Sequence, residues 1–343
     1  MSKPEPAIIS DYQSANPGLL SALPSRPFVT TLIALIAVTL AFFTPLRSFV
    51  PGKILLRTPA FRTMATATTT SAASKTFGPV APPAAMDITP RPWNQRGHAD
   101  HGWLYTFHTF SFASYWSPDH ESFGPLRVIN EDRVAPSTGF GTHSHAEFLI
   151  WSYVVRGELE HKDSMGNLEY LHRGDVQFTS AGTGIRHSEY NRNKHDEVHF
   201  LQIWAKPAVS RLTPSYTTRT FPDELKSNTL CRIMESTERH SGKEGESEPI
   251  PLHADLSMSA SLLEPGLKVR HQLVADGERK VYLHVVMNGK EQPNEGGAAI
   301  RVGDKVLREG DGAYVQGTKG PGEVVVESVG DRTAEFLLFD MAP

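Results

Sequence analysis

Cysteine is all but missing from this chain of 343 residues, with Cys231 as the single example. No intramolecular disulfide can form, so the folded part belongs in a reducing compartment and must be held by a packed core. The lone thiol reads as a small buried hydrophobe rather than a nucleophile. A basic excess is missing too: 34 Lys and Arg stand against 38 Asp and Glu, for a formal net charge of -4. That balance offers no electrostatic footprint for a phosphate backbone, and direct nucleic-acid binding is not expected. Long stretches free of chain breakers are scarce, because 25 prolines and 27 glycines are spread along the sequence. Frequent turns favour short strands over long helices.

One uncharged apolar run does occur, FVTTLIALIAVTLAFFTP at 28–45. It sits near the lower limit of about 17 residues for a membrane-spanning helix. Its downstream flank carries Arg47, Lys53, Arg57 and Arg62 without an acid, whereas upstream Lys3 and Arg26 are mixed with Glu5 and Asp11. By the positive-inside rule, an anchor here would leave the following domain in the cytosol. Two other readings stay open. One is an organelle-targeting peptide, since the region is basic, acid-free and rich in Ser and Thr. The other is an upstream extension absent from the working protein, since MATATTTSAASKTFGP from Met64 resembles a fresh amino terminus. A start at Met1 or at Met64 stays open with them. Ala, Thr, Ser and Pro dominate 65–85, a composition that buries little surface and reads as a disordered linker. Residues 1–86 are therefore set apart as an N-terminal extension.

From residue 87 onward, short apolar or alternating runs recur between turn residues: LRVINEDRV (126–134), EFLIWSYVVRG (147–157), GDVQFTSAG (174–182) and VHFLQIWAKP (198–207). Their spacing is that of strands. After a polar stretch at 235–248 a second series follows: LSMSASLLEPG, KVYLHVVMNGKE, AAIRVGDKVLREGDGAYVQG, GEVVVESVG and TAEFLLFDM. In each half a strand ends at a turn glycine, Gly157 or Gly289, and a later Gly-Asp pair, Gly174-Asp175 or Gly310-Asp311, opens another. The simplest account is an all-β chain built on a duplicated small β-barrel, with domains at 87–215 and 216–343.

Two ligand-bearing patterns lie in the first half, His143-Ser144-His145 and His187-Ser188-Glu189. In a strand, residues i and i+2 share a face roughly 6.5 to 7 Å apart, so two such pairs on facing strands converge. A lone His-x-His is often only a solvated surface pair. Two matched pairs, each preceded by turn glycines (Gly139 and Gly141, then Gly182 and Gly184), point instead to one metal site. Three imidazoles and a carboxylate suit one divalent first-row ion and leave room for exogenous ligands. Fe(II) comes first, with Mn, Ni, Cu, Co or Zn accepted by the same donors. His161, His199, Gln202 and Trp204 are candidates to back or wall the site. Even so, His161 beside Lys162 and Asp163 reads more simply as a solvated strand end, and Trp204 as core. Phe107, His108, Phe110 and Phe112 offer further lining or packing residues. The second half has His271 and His284 but neither spacing, so packing or hydrogen bonding is expected of them. That half is expected to cover the first barrel's mouth, close a pocket or support the fold.

The run GFGTHSHAEFLIWSYVVRGELEHKDSMGN, followed by GDVQFTSAGTGIRHSEYN, closely resembles the pirin family of bicupins, especially pirin-like quercetin 2,3-dioxygenases. The likeness is strong over 96–207 and weak over the terminal barrel, and its motifs GFGTHxH and AGTGIRHSEYN stand in the family's order and spacing. It implies two face-to-face barrels of the cupin, jelly-roll type, with metal only in the first. It also implies His143, His145, His187 and Glu189 as the ligands. Two positions depart from the family pattern. A glutamate that many members carry four residues after the second histidine is Leu149 here, with Glu147 offset by two, and a proline common between the first two histidines is Ser144. The first departure bears on pocket polarity and substrate choice, not on ligation.

The activity implied by the resemblance is O2-dependent cleavage of a flavonol such as quercetin, with a small aromatic substrate and O2 as partners. Glu189, as ligand or base, would take the substrate's hydroxyl proton. The family implies a second class of function as well: a non-enzymatic iron-binding transcriptional co-regulator or redox sensor with protein partners, cytoplasmic or nuclear. A third is metal binding without turnover. Fold alone does not separate them.

Overall fold

A computed structural model describes residues 86–343, apart from Glu244, Glu246, residues 274–276, Asn294 and Pro321. The apolar run at 28–45, Met64 and the 65–85 linker lie outside the described residues. Among the described residues no helix is long and apolar enough to cross a membrane.

The expected strand runs form strands. LRVINEDRV is the strand Leu126–Val134, and it pairs with Val198–Ala205, which pairs in turn with Leu149–Arg156 in the middle of one sheet. Leu149–Arg156 is buried at every residue but its last, because each face is covered. Its Ser152 faces into the barrel, whereas Trp151 and Tyr153 reach out to Met258 and Glu335 of the second half. A strand covered on both faces reads as a continuous apolar run, which explains LIWSYVV.

The first barrel sets a seven-stranded antiparallel sheet against a four-stranded one. In spatial order the large sheet is Ser215–Thr220, Asp175–Ser180, Leu149–Arg156, Val198–Ala205, Leu126–Val134, Leu104–His108 and Gly97–Asp100. The small sheet is Gly139–His145, Ile185–Tyr190, Leu159–Asp163 and Leu168–Leu171. The second barrel repeats the strand order, except that Cys231–Ser236 and Ile250–Leu252 at the edge of its large sheet pair in parallel. Its large sheet is Asp87–Arg91, Gly312–Lys319, Glu278–Val285, Ala334–Met341, Leu256–Leu263, Cys231–Ser236 and Ile250–Leu252. Its small sheet is Lys268–Gln272, Glu323–Ser328, Ala299–Val302 and Lys305–Arg308.

The expected boundaries at 87 and at 215/216 do not match how the strands pair. Asp87–Arg91, assigned to the first domain, hydrogen-bonds along Gly312–Lys319 of the second barrel. Ser215–Thr220, which the 215/216 division would cut, pairs with Asp175–Ser180 of the first. The two strands occupy equivalent edges, and each supplies the backbone partners its sheet edge would otherwise leave open.

The barrels share a core. Phe110 and Phe123 of the first pack against Tyr282 and Tyr314 of the second, with ring centroids 4.9 to 6.4 Å apart. At the centre of the junction Glu131 is fully buried. Its Oε1 accepts hydrogen bonds from the backbone N–H of Met287 (2.7 Å) and from His199 (3.1 Å). Its Oε2 accepts from Arg96 and His284, each at 3.1 Å. Burial alone would raise the Glu131 pKa, but His199, His284 and the Arg96 guanidinium outweigh it and hold the carboxyl well below the usual range.

Candidate metal centre

The strand Gly139–His145 carries His143 and His145, and its neighbour Ile185–Tyr190 carries His187 and Glu189. His143 and His187 sit opposite each other in the antiparallel register. Between that pair and the next, the ladder slips: Glu189 pairs with Phe140 where a regular ladder would give Gly141. The additional residue is accommodated at Gly141 and Thr142, both solvent-exposed. A bulge of this kind bends the strand and re-aims its side chains.

The donor atoms of His143, His145 and His187 lie within 4.8 Å of one another. His143 Nδ1 donates to the Gly141 carbonyl at 2.8 Å, so in the neutral ring its Nε2 carries the lone pair. That Nε2 lies 3.1 Å from His187 Nε2. Burial pushes the His145 pKa down to about 3, with His143 adding to the shift, and holds that of His187 well below its ordinary value, with His143, His145 and His161 adding. Neutral imidazoles whose nitrogens converge in a buried wall are suited to a cation. The donor set fits one metal ion.

Glu189 is not part of that group of three. It is buried and points from the same strand face toward the large sheet, where Ser152 Oγ donates to its Oε1 (3.0 Å) and Gln202 Nε2 donates to its Oε2 (2.8 Å). Burial pushes its pKa up to about 7, with Asp132 adding to the rise and the two hydrogen bonds opposing it. The structure thus brings three of the four expected ligands together and holds the fourth on its own partners.

Among the residues expected to wall the site, Trp204 stands against His145 (ring centroids 4.8 Å) and is flanked by Phe112 (5.5 Å) and Phe148 (5.3 Å). Sequence reasoning missed Phe148. It precedes a strand by one residue, and nothing in its neighbours marks it as lining.

His161 is not a solvated strand end. It is fully buried, its ring stacked on Tyr216 at 4.9 Å and edge-on to His187 at 5.1 Å, with Asp163 Oδ2 3.7 Å from its Nε2. It pairs with Glu189 across the sheet, and strand alternation sends it inward while Lys162 points out. His199 turns the other way, to Glu131 at the junction, as does His284. His271 is buried against Asp340 at 2.7 Å. Phe107 packs with Trp93 and His98, and Phe110 joins the shared core, so neither lines the site. Glu147 accepts the Arg211 backbone N–H in a surface loop. Burial raises the Cys231 pKa, in keeping with an inert thiol.

His108 is buried and bonded to Asn130 Oδ1 at 2.8 Å, and burial lowers its pKa to about 4. Between pH 6.5 and about 4 the unfolded chain takes up a proton that the folded chain refuses. Stability is therefore lost as the pH falls through that window, by up to about 3 kcal/mol. His108→Gln is expected to reduce the acid-side slope by that share while the other buried histidines keep the rest, which denaturant midpoints measured against pH for both proteins will show.

The Pirin family matches residues 91–205, and the quercetinase C-terminal cupin domain matches residues 241–341. The chain is similar to a quercetin 2,3-dioxygenase of Escherichia coli K12, 37% identical over 255 residues that span 73% of this chain and 96% of the relative. It is also similar to a pirin-like protein of Caulobacter vibrioides, 34% identical over 74% of this chain and 100% of that protein. Among solved structures, the bacterial pirin YhhW of Escherichia coli in complex with nickel(II) matches with a TM-score of 0.63 and 34% identity, covering 75% of this chain and 100% of that one. With two cupin barrels in sequence and three converging imidazoles in the first, the chain belongs to the pirin family.

Proposed function

We propose that this protein is a metal-dependent dioxygenase that cleaves flavonols such as quercetin with O2. The observation that carries the reading is the pairing of a three-imidazole group with a buried carboxyl, Glu189, which shares its strand with His187. His143, His145 and His187, with Glu189 as fourth ligand or as base, would hold one divalent ion, Fe(II) first, although the same donors accept Mn, Ni, Cu, Co or Zn. When bound, such an ion supplies Lewis acidity toward two adjacent substrate oxygens and a means of engaging O2.

The chain's own residues do the rest. Glu189 takes the proton of the substrate's 3-hydroxyl. A carboxyl with its pKa raised to about 7 is matched to that task near neutral pH. Ser152 and Gln202 occupy its two oxygens and stabilise the charge left after proton release from the acid. Trp204, Phe112 and Phe148 form an aromatic wall beside His145, a surface on which a planar substrate can lie and from which water is kept. The names of the relatives support the substrate class.

The test is metal reconstitution of the full chain under anaerobic conditions, followed by O2 uptake and carbon monoxide release with quercetin. Turnover is expected in the parent protein and not in His143→Ala or Glu189→Ala. Metal binding that the variants lose, without turnover by the parent on any metal, would sink the dioxygenase reading in favour of a metal-binding protein that acts on partners.

A further inference from the structure

The duplicated fold contains its own control for what the metal centre requires. The strands correspond in order and in register, so each position of the first barrel has a counterpart in the second. With the shared Gly174-Asp175 and Gly310-Asp311 turns aligned, paired His143 and His187 become paired His271 and Val324, His145 becomes Leu273, and Glu189 becomes Val326. The same correspondence reaches the large sheet. Ser152 and Gln202 are directly paired across Leu149–Arg156 and Val198–Ala205, and their counterparts, directly paired across Glu278–Val285 and Ala334–Met341, are Leu283 and Leu338.

Where the carboxylate is missing, the two polar side chains beneath it are replaced by leucines. Buried hydroxyl and amide groups in a barrel wall are costly without partners, and leucine is what the wall takes when no partner is needed. In the first barrel both have one. The hydroxyl of Ser152 reaches Glu189 Oε1 at 3.0 Å and lies 3.3 Å from Gln202 Oε1, so that the amide, the hydroxyl and the carboxyl form a closed set.

We propose that Ser152 and Gln202 are positioning residues of the metal centre, a pair that fixes the Glu189 carboxyl beside the three imidazoles and has no other task in the barrel. The proposal rests on the metal-centre reading above and not on the identity of the substrate. A directly paired serine and glutamine straddle Glu189 from neighbouring strands, which lie about 4.8 Å apart. Both side chains hydrogen-bond Glu189, so their influence on the metal is expected to pass through its carboxyl.

That condition is testable without turnover. Ni(II) affinity of the full chain is measured by calorimetry for the parent, Ser152→Ala and Gln202→Leu, and for the same two changes in a Glu189→Ala background. Loss of an orienting partner typically weakens metal binding by about tenfold to a hundredfold. Each single change is expected to do so in the parent, and to change affinity by less than about twofold once Glu189 is gone. Ser152→Thr, which keeps the hydroxyl, is expected to restore the parent affinity, and that arm stands even if Gln202→Leu fails to fold. Equal losses in both backgrounds, or no loss in the parent, would overturn the proposal. A parent chain that binds no Ni(II) would remove the metal-centre reading and this inference together, whereas binding without quercetin turnover leaves the inference intact.

Discussion

Glu131→Ala is expected to destabilise the protein by about 3–5 kcal/mol, the cost of breaking a buried ion pair from one side. The change leaves the Arg96 guanidinium in a site from which water is excluded, and strips His199, His284 and the Met287 N–H of their common acceptor. Two of those four donors belong to the second barrel, so the loss falls on the junction. Denaturant unfolding is expected to shift to a lower midpoint and to separate into two transitions as the barrels uncouple. A loss below about 1 kcal/mol, in the range of an ordinary surface substitution, would show that the junction is held by its aromatic core instead.

Metal-induced stabilisation should vanish in His187→Ala. His187 faces His143 nitrogen to nitrogen at 3.1 Å and is the most deeply buried of the three imidazoles. In the parent, an ion supplied at a hundredfold over its dissociation constant adds about 2.7 kcal/mol. With two histidines left, that increment is expected to fall to nothing, while the metal-free stability of the variant stays close to that of the parent. Thermal melts of both proteins with and without Ni(II) measure the difference. An unchanged shift in His187→Ala would place the ion elsewhere.

Much of this architecture is legible in the amino acids because the barrels press against each other. Strands such as Leu149–Arg156 and Val198–Ala205 are covered on both faces, and their near-continuous apolar runs locate them to within a few residues. The His-x-His and His-x-Glu spacings were enough to put three imidazoles on one wall. They were not enough to place Glu189, because the bulge at Gly141 and Thr142 shifts the partner strand by one residue, and a pair of small residues does not reveal whether a ladder slips. His161 was misread for a related reason. Flanking charges suggested solvent, whereas the two-residue alternation of Leu159–Asp163 carried the correct signal. Glu131 sits in the run NEDR and looks like a surface charge. Only the second barrel, packed over it, makes it a buried one.

Asp87–Arg91 carries a consequence for how the molecule comes into being. The first strand to emerge after the N-terminal extension must wait for Gly312–Lys319, more than two hundred residues later, before it has anything to pair with. The first barrel can close around its imidazoles while the chain is still being made, but the second cannot be finished until its missing edge is handed back from the opposite end. No single cut yields two complete barrels. Duplication of the fold has therefore not left two separable halves, and the second barrel is tied into the one chain through Asp87–Arg91.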